Sequence, residues 1–339
     1  MNTTIQNVRI KSIATCLPQY SVNVYDNAEL YKDNRKKLEK IVNTSGFHIR
    51  HILPKGSKVT SSDLCYHAAE KVLENIDRNS ITAVVFVTGT PDYILAASSS
   101  LLQKKLNLSE DILAIDMTQG CAGMVSGLLM ASKLVDKDNK KVLLLVGNTL
   151  SKIYGTGEDA KIDPPFHGDG GSAILLEYSE DAEPMFFDAG TISDNEVLHH
   201  PNGAFKNPPT KDMFKEDGSF DYGSYMDGLG VFQFSISKVP QSISSVLKYS
   251  NKTIEDVDYF ILHQANIAII KNIARMLDIP IDKVPYSTLP KYGNLSVDSI
   301  PSVISDLYDI FNKKKYTILL SGFGIGLSWV SCVLTFDNV

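Results

Sequence analysis

The chain has only four cysteines, Cys16, Cys65, Cys121 and Cys332, and no C-x-x-C pair. They are too few and too scattered for a disulfide scaffold, and the missing pair argues against a thiolate metal site. Free thiols point to a cytoplasmic protein. A basic block is also lacking: Lys plus Arg number 33 against 39 Asp plus Glu, a net charge of −6. Nucleic acid is therefore not an expected partner. The longest apolar stretches, such as 142–146, are strand-length and fall far short of the roughly 20 residues a membrane helix needs, so no membrane partner is expected. Residues 1–18 alternate polar and apolar without a basic segment and long apolar run, which is not the pattern of a signal peptide. What remains is an ordinary globular composition, 43% hydrophobic with 22 Gly and 14 Pro over 339 residues. That length suits roughly two units at about 150 residues each, with a large core.

Two segments repeat one element order. In the first, a β-rich run at 81–87 precedes a helical stretch at 98–106 and a short strand at 112–116. A small-residue turn, Gly120-Cys121-Ala122-Gly123, leads into an apolar helix reaching Val135, and Lys140-Lys141 opens a strand at 142–146. In the second, a strand at 257–262 precedes an amphipathic helix at 267–277 and a short strand at 284–286. The turn Gly293-Asn294 leads into a helix over about 297–310, and Lys314-Lys315 opens a strand at 316–320. Asn294 follows Cys121, and Lys315 follows Lys141, by nearly the same interval of roughly 173 residues, the signature of an internal duplication. Alternating strands and helices predict an α/β fold with a mainly parallel sheet in each half. The halves divide at 1–180 and 181–339, and residues 188–227, rich in Gly, Pro, Asn and Asp, read as a long loop capping the site.

Ligands of such sheets bind beyond the carboxyl ends of strands. Cys121, His263 and Asn294 all fall just after predicted strands and converge on one cleft if the halves pack with pseudo-twofold symmetry. Cys121 opens a helix among small residues, where the helix dipole favours the thiolate and predicts a pKa below the free value of about 8.5. The other three cysteines read as inert structural thiols. His263 is carried out of a core strand in Leu262-His263-Gln264-Ala265-Asn266. Asn294 either donates from its amide to a carbonyl or is simply a turn residue tolerating a left-handed backbone. His199-His200, in the loop region, could touch a substrate, whereas His167 reads as entering the next strand. Gly322-Phe323-Gly324-Ile325-Gly326 has the wrong spacing for a dinucleotide fingerprint. As a bend between strands it either lets backbone N–H groups approach a ligand and complete an oxyanion hole or is simply a tight strand connection.

With these motifs in this order, the chain resembles the β-ketoacyl-[acyl carrier protein] synthase III family of the thiolase superfamily. The carrying residues are Asp116-Met117-Thr118-Gln119-Gly120-Cys121-Ala122-Gly123, His263-Gln264-Ala265-Asn266, Tyr292-Gly293-Asn294 and Gly322-Phe323-Gly324-Ile325-Gly326-Leu327-Ser328-Trp329. Gly168-Asp169-Gly170 and Met226-Asp227-Gly228 also fit. The resemblance implies a duplicated thiolase fold, two similar βα halves with layered sheets and helices, assembled as a homodimer. It implies a Cys121, His263, Asn294 triad and an oxyanion hole from the backbone N–H groups of Cys121 and Ile325. The acyl group passes from a thioester to Cys121 and then condenses, with loss of carbon dioxide, with a malonyl-carrier thioester. The implied substrates are acyl-CoA or acyl carrier protein thioesters, with no metal or redox cofactor. Leu95, Phe323, Leu327 and Met226 are implied as substrate-binding residues, Leu95 standing where a partner subunit usually supplies Phe.

The chain departs from the family at the coenzyme A clamp, where Lys40 and Thr44 replace Trp and Arg, and at two basic docking positions, now Ala268 and Gln233. A carrier-bound primer is therefore expected over coenzyme A, with Lys271 and Arg275 on one helical face docking the acidic carrier protein. A specialised acyl pathway is an alternative to housekeeping fatty acid biosynthesis. Competing readings are an acyltransferase of the same fold serving an alcohol or amine, a cysteine hydrolase with papain-like order and a Cys121 to His263 spacing of roughly 140 residues, and a non-catalytic partner subunit. The last normally lacks the nucleophile that Cys121 supplies.

Overall fold

The computed structural model describes residues 1–26, 35–154, 166–194, 197–216, 218, 220–311 and 314–336. The first part of the chain forms β1 (Asn2–Ile5), β2 (Val8–Cys16), β3 (Ser21–Asn23), α1 (Arg35–Ser45), β4 (Ile49–His51) and α2 (Ser61–Val72). It continues through β5 (Ile81–Thr88), α3 (Ser98–Lys105), β6 (Leu113–Thr118), α4 (Gly123–Ser132), β7 (Lys141–Thr149), α5 (Ser151–Tyr154) and β8 (Asp169–Tyr178). Then come β9 (Met185–Thr191), β10 (Leu198–His199), β11 (Tyr225–Met226), α6 (Gly228–Tyr249), β12 (Tyr259–Leu262) and α7 (Ile267–Met276). The chain closes with α8 (Leu289–Tyr292), α9 (Ser299–Asp306), α10 (Tyr308–Phe311), β13 (Tyr316–Gly324) and β14 (Ser328–Phe336).

Two five-stranded sheets result, ordered β2-β8-β7-β5-β6 and β1-β9-β14-β13-β12. Their pairings repeat. β5 and β7 are parallel, while β7–β8 and β8–β2 are antiparallel. Likewise β12 and β13 are parallel, while β13–β14 and β14–β9 are antiparallel. The duplication read from the sequence is thus visible strand by strand, although each sheet is mixed rather than mainly parallel. Two details differ from expectation. The segment 284–286 is no strand, because Pro285 has no N–H for a ladder and a 3₁₀ turn over Ile281–Lys283 precedes it. Asp188 to Thr191, expected as loop, continues β9 because it pairs with β14, Gly190 opposite Trp329. β1 crosses over to extend the second sheet, pairing with β9.

Strand periodicity separates three cores. Val85 and Val87 point inward with Leu144 and Val146 to meet Ile318 and Leu320 of the second sheet. Val84 and Phe86, on the opposite face, pack under α2 and α3. Leu319 and Val333 pack under α6 and α7. Between the sheets lie α4 and α9, contributing Met124, Val125, Leu128, Ile300, Val303 and Ile304. α4 is apolar all round, as a helix covered on both sides must be. The layering is therefore helices, sheet, helices, sheet, helices. Burial of the central helices also fixes their N-terminal turns, from which the candidate site is built.

Candidate active site

Cys121 stands on the turn between β6 and α4, two residues before the first helical residue. The turn must be narrow, because Ile325 lies against it: a Cβ at Gly120 would come within 2.4 Å of Ile325 Cγ2. On the other side Gly324, at φ +155°, approaches so closely that a Cβ there would lie 2.7 Å from Cys121 Cβ. These two glycines let the β13–β14 bend close over the thiol. The backbone N–H groups of Cys121 and Ile325 both reach Sγ, and Ser296 Oγ lies 3.5 Å from it. All three contacts favour the thiolate, yet burial outweighs them and pushes the thiol above its ordinary pKa. The direction is therefore opposite to the lowered pKa expected: desolvation of the charged form exceeds the three hydrogen bonds to the sulfur.

His263 follows β12 directly, and its N–H continues the ladder to Ser321 O at 2.8 Å. The imidazole is buried, edge-on to Phe323 at 5.4 Å between centroids. Its Nδ1 lies 2.7 Å from Ser299 Oγ. That hydroxyl oxygen also accepts the Gln264 N–H at 3.3 Å. When the Ser299 hydroxyl donates to Nδ1, the ring hydrogen sits on Nε2. Burial drives the pKa down to about 3, so the ring is a neutral donor at physiological pH.

Asn294 ties the two halves together. Its N–H donates to Phe166 O at 2.8 Å and its carbonyl accepts from Gly168 N–H at 3.0 Å. Its side-chain oxygen accepts the Ser296 N–H at 2.9 Å. The left-handed backbone expected at Asn294 falls on Gly293 instead, at φ +78°, because glycine has no Cβ to clash there; with Oδ1 fixed, Nδ2 is the side-chain group that can donate to a carbonyl.

Cys121, His263 and Asn294 line one cavity of about 650 Å³, together with Phe323, Ile325 and Met226. Leu327 does not line it; at 4% exposed it packs in the core beneath α6 and α7, because the chain has turned into β14. Leu95 is 86% exposed on the β5–α3 connection and does not reach the cavity of its own chain. Lys271 and Arg275 are both exposed on α7, whose opposite face buries Ile269, Ile270, Ile273 and Ala274. Asn266, a cavity residue, caps α7 by accepting the Ile269 N–H at 2.8 Å, so the exposed cations belong to a helix that starts at the cavity.

The structure adds residues that the motifs did not flag. Asn148, at the end of β7, accepts the Gly89 N–H at 2.8 Å and donates to Ser296 Oγ at 3.3 Å. A polar chain thereby links the first sheet to the thiol. His167, expected merely to enter β8, lines the cavity and stacks on Tyr154 with centroids 4.2 Å apart. His199 and His200, which the sequence did mark as able to touch a substrate, line it too. Of the other thiols, Cys65 and Cys332 are buried and Cys16 is half-buried; burial raises the pKa of each.

Comparison with known proteins agrees with the layout. A family model described as 3-oxoacyl-[acyl-carrier-protein (ACP)] synthase III matches residues 115–195, and its C-terminal counterpart matches residues 247–336. The chain is 33% identical, over 100% of its length and 97% of the relative's, to a putative 3-oxoacyl-[acyl-carrier-protein] synthase 3 of Campylobacter jejuni. It is 30% identical, over 96% of its length and 97% of the relative's, to a β-ketoacyl-[acyl-carrier-protein] synthase III of Koribacter versatilis. Among solved structures, a 3-oxoacyl-(acyl-carrier protein) synthase from Burkholderia xenovorans superposes with a TM-score of 0.90 at 29% identity, covering 100% of this chain and 97% of that one.

Proposed function

The chain belongs to the 3-oxoacyl-[acyl-carrier-protein] synthase III family, and on that premise we propose that Cys121, His263 and Asn294 make it an acyltransferase that performs a decarboxylative Claisen condensation. In the first half-reaction the Cys121 thiolate attacks the carbonyl carbon of an acyl thioester. The developing oxyanion is held by the Cys121 and Ile325 N–H groups, each worth about 3 kcal/mol in such a role. The carrier thiol leaves with the proton, and the acyl group stays on Sγ.

In the second half-reaction a malonyl thioester enters the same cavity. His263 Nε2–H and Asn294 Nδ2–H donate to its thioester oxygen. The bond to the carboxylate breaks, carbon dioxide departs, and the electron pair becomes an enolate held by the two donors. No lysine or arginine among the described residues lines the cavity, and Phe323 lies against His263, so the carboxylate meets no cation among the described residues. The enolate carbon attacks the acyl carbon and Cys121 leaves as thiolate, giving a 3-oxoacyl thioester. The product suits fatty acid biosynthesis or a specialised acyl pathway. Lys271 and Arg275 dock an acidic acyl carrier protein, and a second copy of the chain brings Leu95 to its partner's acyl pocket.

The observation that carries this reading is His263, held through Nδ1 by Ser299, sharing one cavity with the Cys121 thiol and Asn294. The test is a single turnover: acylate the enzyme, add malonyl-carrier thioester, and follow carbon dioxide and the mass on Cys121. Stoichiometric carbon dioxide release with loss of the Cys121 adduct is expected. Loss of the adduct to an alcohol or amine without carbon dioxide supports the plain acyltransferase instead.

A further inference from the structure

One wall of the cavity beyond the triad carries three imidazoles and a phenol. His167 sits beside Asn294, bridged to it through the backbone, and stacks on Tyr154 at 4.2 Å and 9°. The Tyr154 hydroxyl lies 3.1 Å from His200 Nε2, and His200 Nδ1 lies 2.8 Å from Ser224 Oγ. Next in the chain, His199 lines the same cavity, and its Nδ1 is buried with no hydrogen-bond partner among the described residues. Three elements far apart in sequence, α5, the entry to β8 and the β10–β11 ladder, thus place three imidazoles and a phenol together. Leu198 and Met226 supply apolar contact on the same side.

We propose that this part of the cavity binds an acyl chain bearing a neutral hydrogen-bonding oxygen, a hydroxyl or keto group, in preference to the plain alkyl chain of the same length. The proposal rests on the acyl-enzyme reading above and deepens it. A plain chain would cover these polar groups and offer them no hydrogen bond, whereas an oxygenated chain offers one. Burial lowers the pKa of His200 and takes His167 down to about 3, so both rings are uncharged at pH 7. No Lys, Arg, Asp or Glu among the described residues lines the cavity. Among the described residues a charged chain terminus finds no counter-ion to offset the hydration it would lose.

The test uses pantetheine thioesters, which separate acyl choice from carrier docking. Butyryl, 3-hydroxybutyryl, 4-hydroxybutyryl, acetoacetyl and succinyl pantetheine are each incubated with the full-length enzyme. The rate of mass gain on Cys121 is then read. At least one of the three neutral oxygenated chains should acylate tenfold or more faster than butyryl, because a site built to hydrogen-bond a group rejects the analogue lacking it. Succinyl should be slower than butyryl. Tyr154→Phe and His200→Leu should each shrink the oxygenated-to-butyryl ratio; a ratio survives partial misfolding, which lowers both rates alike. Butyryl matching or exceeding every oxygenated chain, or a ratio that neither variant moves, overturns the proposal while leaving the acyl-enzyme intact. Failure of all five to acylate Cys121 overturns the acyl-enzyme reading and this proposal with it.

Discussion

Replacing Ser296 by alanine removes the hydroxyl 3.5 Å from Cys121 Sγ and leaves the two backbone donors in place. The free thiol already titrates above its ordinary value, because burial outweighs these three contacts. An ordinary cysteine is only a few per cent thiolate at pH 7, so Cys121 should hold less than that until a thioester arrives. A hydrogen bond to a charged group is worth about 1.5–3 kcal/mol, and a long sulfur contact falls at or below the lower limit, about 1 kcal/mol. At 1.36 kcal/mol per unit, that displaces the titration upward by about 0.7. Carbamidomethylation of Cys121 should therefore slow about fivefold at every pH below the midpoint. The assay is a pH profile of iodoacetamide labelling, with Cys121 followed by peptide mass so that half-buried Cys16 is counted separately. The midpoint, unlike the absolute rate, does not depend on how easily the reagent enters the cavity. A wild-type midpoint at or below about 8.5 would mean that the helix terminus prevails over burial. An unmoved midpoint in Ser296→Ala would remove Ser296 from the thiol's surroundings.

His263→Ala and Asn294→Ala should each cut malonyl decarboxylation by roughly 10²–10³-fold while Cys121 acylation survives within about tenfold; equal loss of both steps would make His263 an obligatory base instead. Since the His263 ring is neutral down to about pH 3, decarboxylation should show no acid limb near the ordinary histidine value of about 6.5, and such a limb would contradict a neutral donor. The same depression has a stability consequence with a definite sign. His167 and His263 both titrate at about 3 when folded, so the unfolded chain binds their protons first as pH falls below about 6.5, and stability is lost in that direction. Between pH 7 and 5 the two contribute a loss of about 4 kcal/mol, to be read from denaturant midpoints, and His263→Ala should make the dependence shallower. Lys271→Glu with Arg275→Glu should lower kcat/KM for a carrier-bound primer about tenfold at low salt and leave the pantetheine thioester unaffected; equal effects on both donors would place carrier docking elsewhere.

The parts of the site legible in the sequence are those whose signals are local. Cys121 is announced by its small neighbours between a strand and a helix. His263 is announced by emergence from a core strand, and Asn294 by a Gly-Asn turn. The duplicated order of elements says that such strand ends meet. The parts that were not legible depend on contacts between distant segments. His167 looks like the first residue of a strand until Tyr154 and His200 are brought against it, and the latter pair lies 46 residues apart. Ser296 carries no motif of its own; it matters because Asn148, at the end of a strand in the other half, holds its hydroxyl against the thiol.

The direction of the Cys121 pKa went astray for a related reason. A helix N-terminus can be read from neighbouring residues, but burial is produced by β13 and β14 closing over the turn from the other half, with Gly324 as the point of approach. The two effects oppose each other, and the longer-range one prevails. A nucleophile held back in this way is protonated while the cavity stands empty. In the proposed acyl transfer, the Cys121 and Ile325 N–H groups that face the sulfur would face the developing oxyanion once a thioester carbonyl occupies the space beside Sγ. On that proposal, the stabilisation that burial denies the resting thiolate would be delivered during acyl transfer, where a donor lowers the barrier and not merely the ground state.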